Sequence, residues 1–204
     1  MRKVIFGLVG LTLAAGSAQA AGLGARIGTT GLGADVAWDL APTLSARVGY
    51  SGGSVDHDVS TSLTTYHGKL NLKNLNTFLD FAPLGPLFRI SGGFIFNDNK
   101  FDVNTDQFNG GSISGTVKPS NSAAPYLGIG YGRVSGTGVN FYADLGVMYQ
   151  GSPKASLTAN CGSLSASGCS ALQSQVASEQ AALEDKLKNA KYYPVLNIGL
   201  TIGF

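Results

Sequence analysis

The chain has 204 residues, with 14 Lys+Arg, 12 Asp+Glu, 2 His, 2 Cys and 29 Gly. Glycine is about twice as frequent as the roughly 7% of an average protein but follows no G-X-Y period, which excludes collagen. Near-neutral charge without a basic patch excludes a dedicated nucleic-acid binder, and two cysteines cannot furnish a disulfide-rich scaffold or a four-ligand zinc site.

Residues 1–20 read as a secretory signal peptide. Arg2 and Lys3 form a positive n-region, Val4 to Ala15 an uncharged, largely apolar stretch, and Ala18-Gln19-Ala20 an A-x-A cleavage site. A transmembrane helix needs roughly 20 apolar residues, more than this core supplies. A retained N-terminal anchor is the competing reading. Loss of Arg2 and Lys3 would leave the remaining basic and acidic residues equal in number. Export also brings the chain into an oxidising compartment.

From residue 22 onward the dominant signal is alternation with period 2, which marks strands with two unlike faces. Leu32, Ala34, Val36, Trp38 and Leu40 alternate with Gly33, Asp35, Ala37 and Asp39, and Leu44, Ala46, Val48 and Tyr50 with Ser45, Arg47 and Gly49. Phe88, Ile90, Phe94 and Phe96 share one parity, with Arg89, Ser91, Gly93 and Asn97 on the other. Leu127, Ile129 and Tyr131 alternate with glycines, and Val139 to Tyr149 sets Phe141 and Leu145 against Asn140, Tyr142 and Asp144. In Leu196 to Phe204 every even position is large and apolar. One apolar face and one face of Gly, Ser, Asn, Asp and Arg fit a transmembrane barrel with lipid outside and a polar lumen inside. Closure satisfies every backbone polar group in lipid, as an open sheet would not.

The fold class expected is therefore all-β, an eight-stranded antiparallel transmembrane β-barrel. Its strands are predicted at 22–29, 32–40, 44–52, 65–82, 87–98, 124–134, 138–149 and 192–204. The mature domain covers 21–204, with a long loop at 150–190. Short connections at 41–43, 83–86 and 135–137 suit periplasmic turns, and long stretches near 52–63, 98–122 and 150–190 suit outer loops. A two-residue turn at Thr30-Gly31 would set Arg26 opposite Asp35, favouring a first hairpin over one long kinked strand. Leu70 and Leu72 have the opposite parity to Leu75, Leu79 and Phe81, so a bulge is expected near Asn74. Trp38, Tyr50, Phe81, Phe88, Tyr131, Tyr149 and Phe204 lie towards strand ends, as aromatic girdles do. Residues 170–188 lack Gly and Pro and predict an amphipathic helix with Leu172, Val176, Leu183 and Leu187 on one face and a Glu184–Lys188 pair. That helix would cap the barrel mouth or lie along the rim.

Gly28-Thr29-Thr30-Gly31, Pro125-Tyr126-Leu127-Gly128-Ile129-Gly130 and Tyr149-Gln150-Gly151-Ser152-Pro153-Lys154, followed by a charged helix and a strand carrying Pro194, resemble the CarO family of Gram-negative outer-membrane proteins. The resemblance runs from about residue 26 to the end. It implies an eight-stranded barrel assisting uptake of small basic amino acids and some β-lactams, although the barrel is closed in structure. The Cys161 to Cys169 segment has no match in that pattern.

The predicted lumen set is Arg26, Arg47, Lys69, Lys73 and Arg89 with Asp35, Asp39, Asp80 and Asp144. One reading is a plug of ion pairs, since eight strands leave just enough bore for side chains. The other is a narrow path in which acids and bases guide a zwitterion. Cys161 and Cys169 are expected to pair after export. Asp102 to Asp106 begins like a calcium loop, but Gln107 and Ile113 replace the required Gly and Glu. His57 and His67 lack a third ligand at useful spacing, so no metal or other cofactor is expected. No G-x-S-x-G elbow or nucleophile–base pair is legible, so no enzyme is expected. Expected partners are outer-membrane lipid, the barrel-assembly machinery through the strand ending at Phe204, and small solutes, with a monomer favoured. The function expected is passage of small polar or zwitterionic solutes; the alternative is a closed structural barrel whose outer loops bind partners.

Overall fold

The computed structural model describes residues 21–60, 65–85, 87–105 and 110–204. The leader expected over 1–20 lies outside them.

Among the described residues, eleven strands and one helix run in the order β1 (Ala21–Gly28), β2 (Gly31–Ala41), β3 (Leu44–Ser60), β4 (Thr65–Phe81), β5 (Phe88–Asn97), β6 (Lys100–Thr105), β7 (Ser112–Lys118), β8 (Ala123–Gly132), β9 (Gly138–Tyr149), β10 (Lys154–Asn160), α1 (Ala166–Leu187) and β11 (Tyr192–Gly203). All the strand pairings are antiparallel. β1, β2, β3, β4, β5, β8, β9 and β11 pair in that sequence, and β11 returns to β1, closing eight strands into a ring. The short β2–β3, β4–β5 and β8–β9 connections and both ends of the described chain lie at one end of the ring, and the two-residue β1–β2 turn lies at the other. The other end rises into an extension in which β4 goes on to pair β6, β6 pairs β7, and β7 pairs β10.

The barrel is inside-out relative to a soluble protein. Leu23, Ile27, Leu127, Phe141, Ile198 and Ile202 point outward and are more than half exposed. Arg26, Asp35, Arg47, Asp80, Arg89 and Asp144 are almost completely buried within the ring. Lipid on the outside and paired charges inside give this distribution a physical reason. Trp38, Phe81, Phe88, Tyr131 and Phe204 lie towards the short-turn end, and Tyr50, Tyr149 and Tyr192 towards the extension. Tyr149 and Tyr192 meet edge-on with centroids 5.4 Å apart.

Several expectations from the sequence require correction. The first hairpin turns at Thr29-Thr30, with Gly28 opposite Gly31, so Arg26 faces Gly33 and Asp35 faces Gly24. The one-residue displacement of the turn shifts the register by two and leaves the pleat unchanged. Arg26 and Asp35 therefore still point inward and meet diagonally, Nη1 to Oδ1, at 3.3 Å.

No bulge occurs at Asn74: β3 and β4 keep one register from Leu44↔Phe81 to Ser60↔Thr65. What changes is the surroundings. Below Asn74 the outward face is apolar, with Leu75, Leu79 and Phe81 exposed, while the inward side chains of Asn74, Asn76, Phe78 and Asp80 are buried. Above it the outward face carries Lys73, Asn71, Lys69 and His67, and Leu70 and Leu72 turn inward. The parity change marks the point where a continuous strand passes from lipid to water. Lys69 and Lys73 are consequently exposed on the outer face and do not belong to the lumen.

The expected outer loops are also largely structured. β3 continues to Ser60, residues 98–122 contain the β6–β7 hairpin, and 150–190 contain β10 as well as the helix. The inward face of this extension carries Leu70, Phe101, Val117 and Ala155 in one cross-strand row. α1 begins at Ala166, earlier than expected, with Ser165 as its N-cap accepting from Gly168 N at 3.3 Å. Val176 is buried, and Leu172, Leu183 and Leu187 are half-buried. Glu184 and Gln180 turn to β10, accepting from Ala155 N at 3.2 Å and Leu157 N at 2.9 Å. These contacts satisfy free donors on an otherwise open sheet edge. Lys188 pairs with Asp185 at 2.7 Å, replacing the expected partner Glu184.

Candidate functional site

The lumen is filled in two successive layers. In the layer towards the short-turn end, Arg47 forks onto Asp80, with Nε and Nη2 donating at 3.1 and 3.2 Å, and extends Nη1 to Asp144 at 2.6 Å. Arg89 also donates to Asp144 and to the carbonyl of Gly132, and its Nε lies 3.5 Å from Asp80. Ser91 donates to Asp80. Arg26 adds the Asp35 pair and donates to Ser51 Oγ at 3.2 Å, while Tyr142 donates to Asp35. Three guanidinium groups thus face three carboxylates. The balance allows all six charges to be buried, because each has an opposite partner and further hydrogen bonds.

Aromatic rings complete this layer. The Arg47 guanidinium lies 5.1 Å from the ring centroids of both Phe78 and Tyr142, and that of Arg89 lies 5.4 Å from Tyr142. These are cation–π distances. Inward glycines give the large side chains their space. A Cβ at Gly49 would meet Asp35, one at Gly130 the Arg89 guanidinium, and one at Gly199 the Tyr142 ring.

The second layer, towards the extension, is apolar. Phe78, Ile95, Ala124, Tyr126, Met148 and Val195 form one buried cluster, with Tyr193 packed against it. Phe78 and Tyr126 meet with centroids 4.5 Å apart. Beside this cluster, Asn74 donates to the Thr30 carbonyl at 3.0 Å, Asn99 to Asn74 Oδ1 at 3.1 Å, and Thr30 to Asn197 Oδ1 at 3.0 Å. An eight-stranded ring has an interior that side chains can fill, and these two layers fill it.

Of the residues expected in the lumen, the structure brings together Arg26, Asp35, Arg47, Asp80, Arg89 and Asp144. Asp39 lies below them at the rim, accepting from Ser45 at 2.8 Å and from Ser135. It lines a polar pocket of about 170 Å³ with Asp80, Arg89 and Ser135. Lys69 is on the outer face of the extension, 3.1 Å from Asp56, and Lys73 is on the same face. Sequence reasoning missed the apolar layer. Its signal was present: Phe78, Ile95, Tyr126, Met148 and Val195 occupy the parity otherwise held by polar and small residues.

Cys161 and Cys169 are joined as a disulfide, tying the end of β10 to the first turn of α1. His67 Nδ1 lies 2.9 Å from Asp58 Oδ1, and His57 is exposed on β3. Among the described residues, no group of three or more His, Cys, Asp or Glu side chains is arranged to hold a metal ion. Asp106 and Gln107 of the calcium-like stretch lie outside the described residues.

Comparison with solved structures identifies similar folds. CarO2 of Acinetobacter baumannii matches with 24% identity and a TM-score of 0.62, over 91% of this chain and 98% of that one. CarO of the same organism matches with 22% identity and a TM-score of 0.62, over 90% and 97% of the respective chains. No protein-family model matches the chain, and no curated protein matches it. The identities carry the fold and nothing finer: the chain has the CarO-type fold of an outer-membrane β-barrel.

Proposed function

We propose that this protein is an outer-membrane barrel, closed in its resting state, that holds a structured platform above the membrane. The observation that carries this reading is the double seal of the lumen. A solute would have to part the Arg47–Asp80–Asp144–Arg89 lattice and then displace the Phe78–Tyr126–Met148 layer. The extension is also hydrogen-bonded throughout, with β4 pairing β6, β6 pairing β7, β7 pairing β10 and α1 docked on the β10 edge, so it is a built structure and not a set of loose connections. Delivery by a leader cleaved after Ala20, insertion through β11 and the Phe204 that follows it, and a monomeric state belong to the same proposal.

Reconstitution of the purified, heat-modifiable protein tests it. The expected result is no single-channel current in planar bilayers and no liposome swelling above the protein-free rate with lysine, arginine or neutral amino acids. Passage of basic amino acids is the competing reading, drawn from the likeness to CarO. Lysine-dependent swelling that is lost in Arg47→Gln and Arg89→Gln would establish passage and overturn the resting seal.

A further inference from the structure

The outer face of the extension carries a row of lysines at the height where the barrel leaves lipid. Lys100 on β6, Lys118 on β7 and Lys154 on β10 are direct cross-strand neighbours, because Lys100 extends the Phe101↔Val117 register to Lys118 and Lys154 pairs Lys118. Asn71 on β4 faces Lys100, and Lys73 sits one outward position lower on the same strand. Lys73, Lys118 and Lys154 are exposed. Lys100 pairs with Asp102 at 2.9 Å. Asp102 is held in turn by Asn71 at 3.2 Å and Thr116 at 2.7 Å. Among the described residues no ion pair within 4 Å engages the ammonium groups of Lys73, Lys118 or Lys154, although Lys118 also acts on Asp102 at longer range. Asp98 is the other carboxylate at this level, opposite Lys73 and exposed.

Height is what distinguishes this row from an ordinary solvated face. On β4 the lipid-facing residues end at Leu75, and Phe96 lies opposite it on β5. Strands rise roughly 3.3 Å per residue, which puts Lys73 about 7 Å and the row at Asn71 about 13 Å beyond Leu75. A bilayer's polar zone begins where its hydrocarbon ends and is roughly 5–8 Å deep on each side. Reach along the flexible lysine stems covers the remaining distance. Lys73 lies within that zone and the Lys100–Lys118–Lys154 row just above it, on a face continuous with acyl-chain contacts, so ammonium groups lowered along their stems complement the negative charge of phosphorylated lipid headgroups.

We infer that Lys73, Lys100, Lys118 and Lys154 form a docking surface for the phosphate groups of an anionic lipid in the surrounding leaflet. The inference rests on the outer-membrane barrel reading but not on whether the lumen is sealed.

The test uses the full mature protein in nanodiscs of phosphatidylcholine containing a minority of diphosphorylated lipid A, with retained lipid counted by native mass spectrometry. Retention of lipid A over phosphatidylcholine is expected. It should fall about a hundredfold in Lys100→Gln/Lys118→Gln/Lys154→Gln, as three charges near a phosphate layer would contribute, and recover in the triple arginine variant. Lys186→Gln/Lys188→Gln on α1 should retain wild-type binding. Heat-modifiable migration checks that each variant is folded. Equal retention by the folded glutamine variant would overturn the inference. So would displacement of lipid A by millimolar inorganic phosphate, which would assign the row to a soluble phosphate instead. Failure of the protein to insert into the nanodiscs at all would instead remove the membrane reading on which the inference stands.

Discussion

Arg47 Nη1 lies 2.6 Å from Asp144 Oδ2, joining β3 to β9 across the full width of the lumen. These strands are diametrically opposite in the ring, so the pair is a cross-brace between walls with no backbone hydrogen bonds in common.

Asp144 also receives Arg89, so its neutralisation is expected to leave two buried guanidinium groups sharing Asp80. Asp144→Asn should destabilise the barrel by about 3–5 kcal/mol, the usual cost of orphaning a buried charge. Urea unfolding in detergent, followed by heat-modifiable gel migration, measures it. Arg47→Leu/Asp144→Leu keeps Arg89 balanced by Asp80 and should lose less than the single variant. A larger loss in the double variant would contradict the cross-brace account.

The glycines divide by what faces them. At Gly199 a Cβ would overlap the Tyr142 ring, whereas at Gly92 nothing lies within 4 Å. Gly199→Ala should therefore cost about 1–3 kcal/mol through overpacking, while Gly92→Ala should be neutral within about 0.5 kcal/mol. Equal effects at the two positions would remove the steric explanation for the inward glycines.

Much of this architecture is legible in the sequence. Alternation such as Leu196 to Phe204 against Asn197, Gly199 and Thr201 marks a wall between lipid and lumen, because that rule is local. The parity change around Asn74 is visible in the sequence, but its cause is not. A bulge and a change of solvent produce the same sequence signature, and only the unbroken β3–β4 register separates them. A bulge would turn Lys69 and Lys73 into the lumen, whereas the unbroken strand keeps them on the outer face. The extension was obscured for a related reason: in Lys100–Thr105 and Ser112–Lys118 the polar face is the outer one, so a search for lipid-facing stripes passes over them. Asp144 could be placed inside by parity, but its partners could not, since Arg47 is brought to it only by closure of the ring.

The helix is expected to act locally. Gln180→Ala/Glu184→Ala removes the acceptors of Leu157 N and Ala155 N. A single hydrogen bond contributes about 0.5–1.5 kcal/mol net, so exchange of those two amides should quicken roughly tenfold. Hydrogen exchange by NMR in detergent reads this directly, and the barrel amides should not change. Uniform acceleration across β9 and β11 would show that α1 supports the barrel as well.

Asp102 titrates outside the membrane. Hydrogen bonds from Lys100 and Thr116 hold its carboxyl below the ordinary carboxylate value. A folded-state pKa lower than the unfolded one contributes stability above the unfolded value, and that contribution is lost as pH falls through the folded one. The Lys100–Asp102–Thr116 link should therefore persist to about pH 4, the unperturbed range, and release only below it. Carboxyl carbon NMR gives the midpoint, and Thr116→Val should move it upward.

Strand β4 belongs to both parts of the molecule. Its lower half closes the barrel between β3 and β5, and its upper half carries the β6–β7–β10 sheet, with no break in its pairing to β3. A pull on the exterior sheet is thus delivered straight into the barrel wall, with no hinge to absorb it. Mechanically the platform is a lever fixed in its socket, and torque applied to it passes into the same walls that the Arg47–Asp144 pair braces.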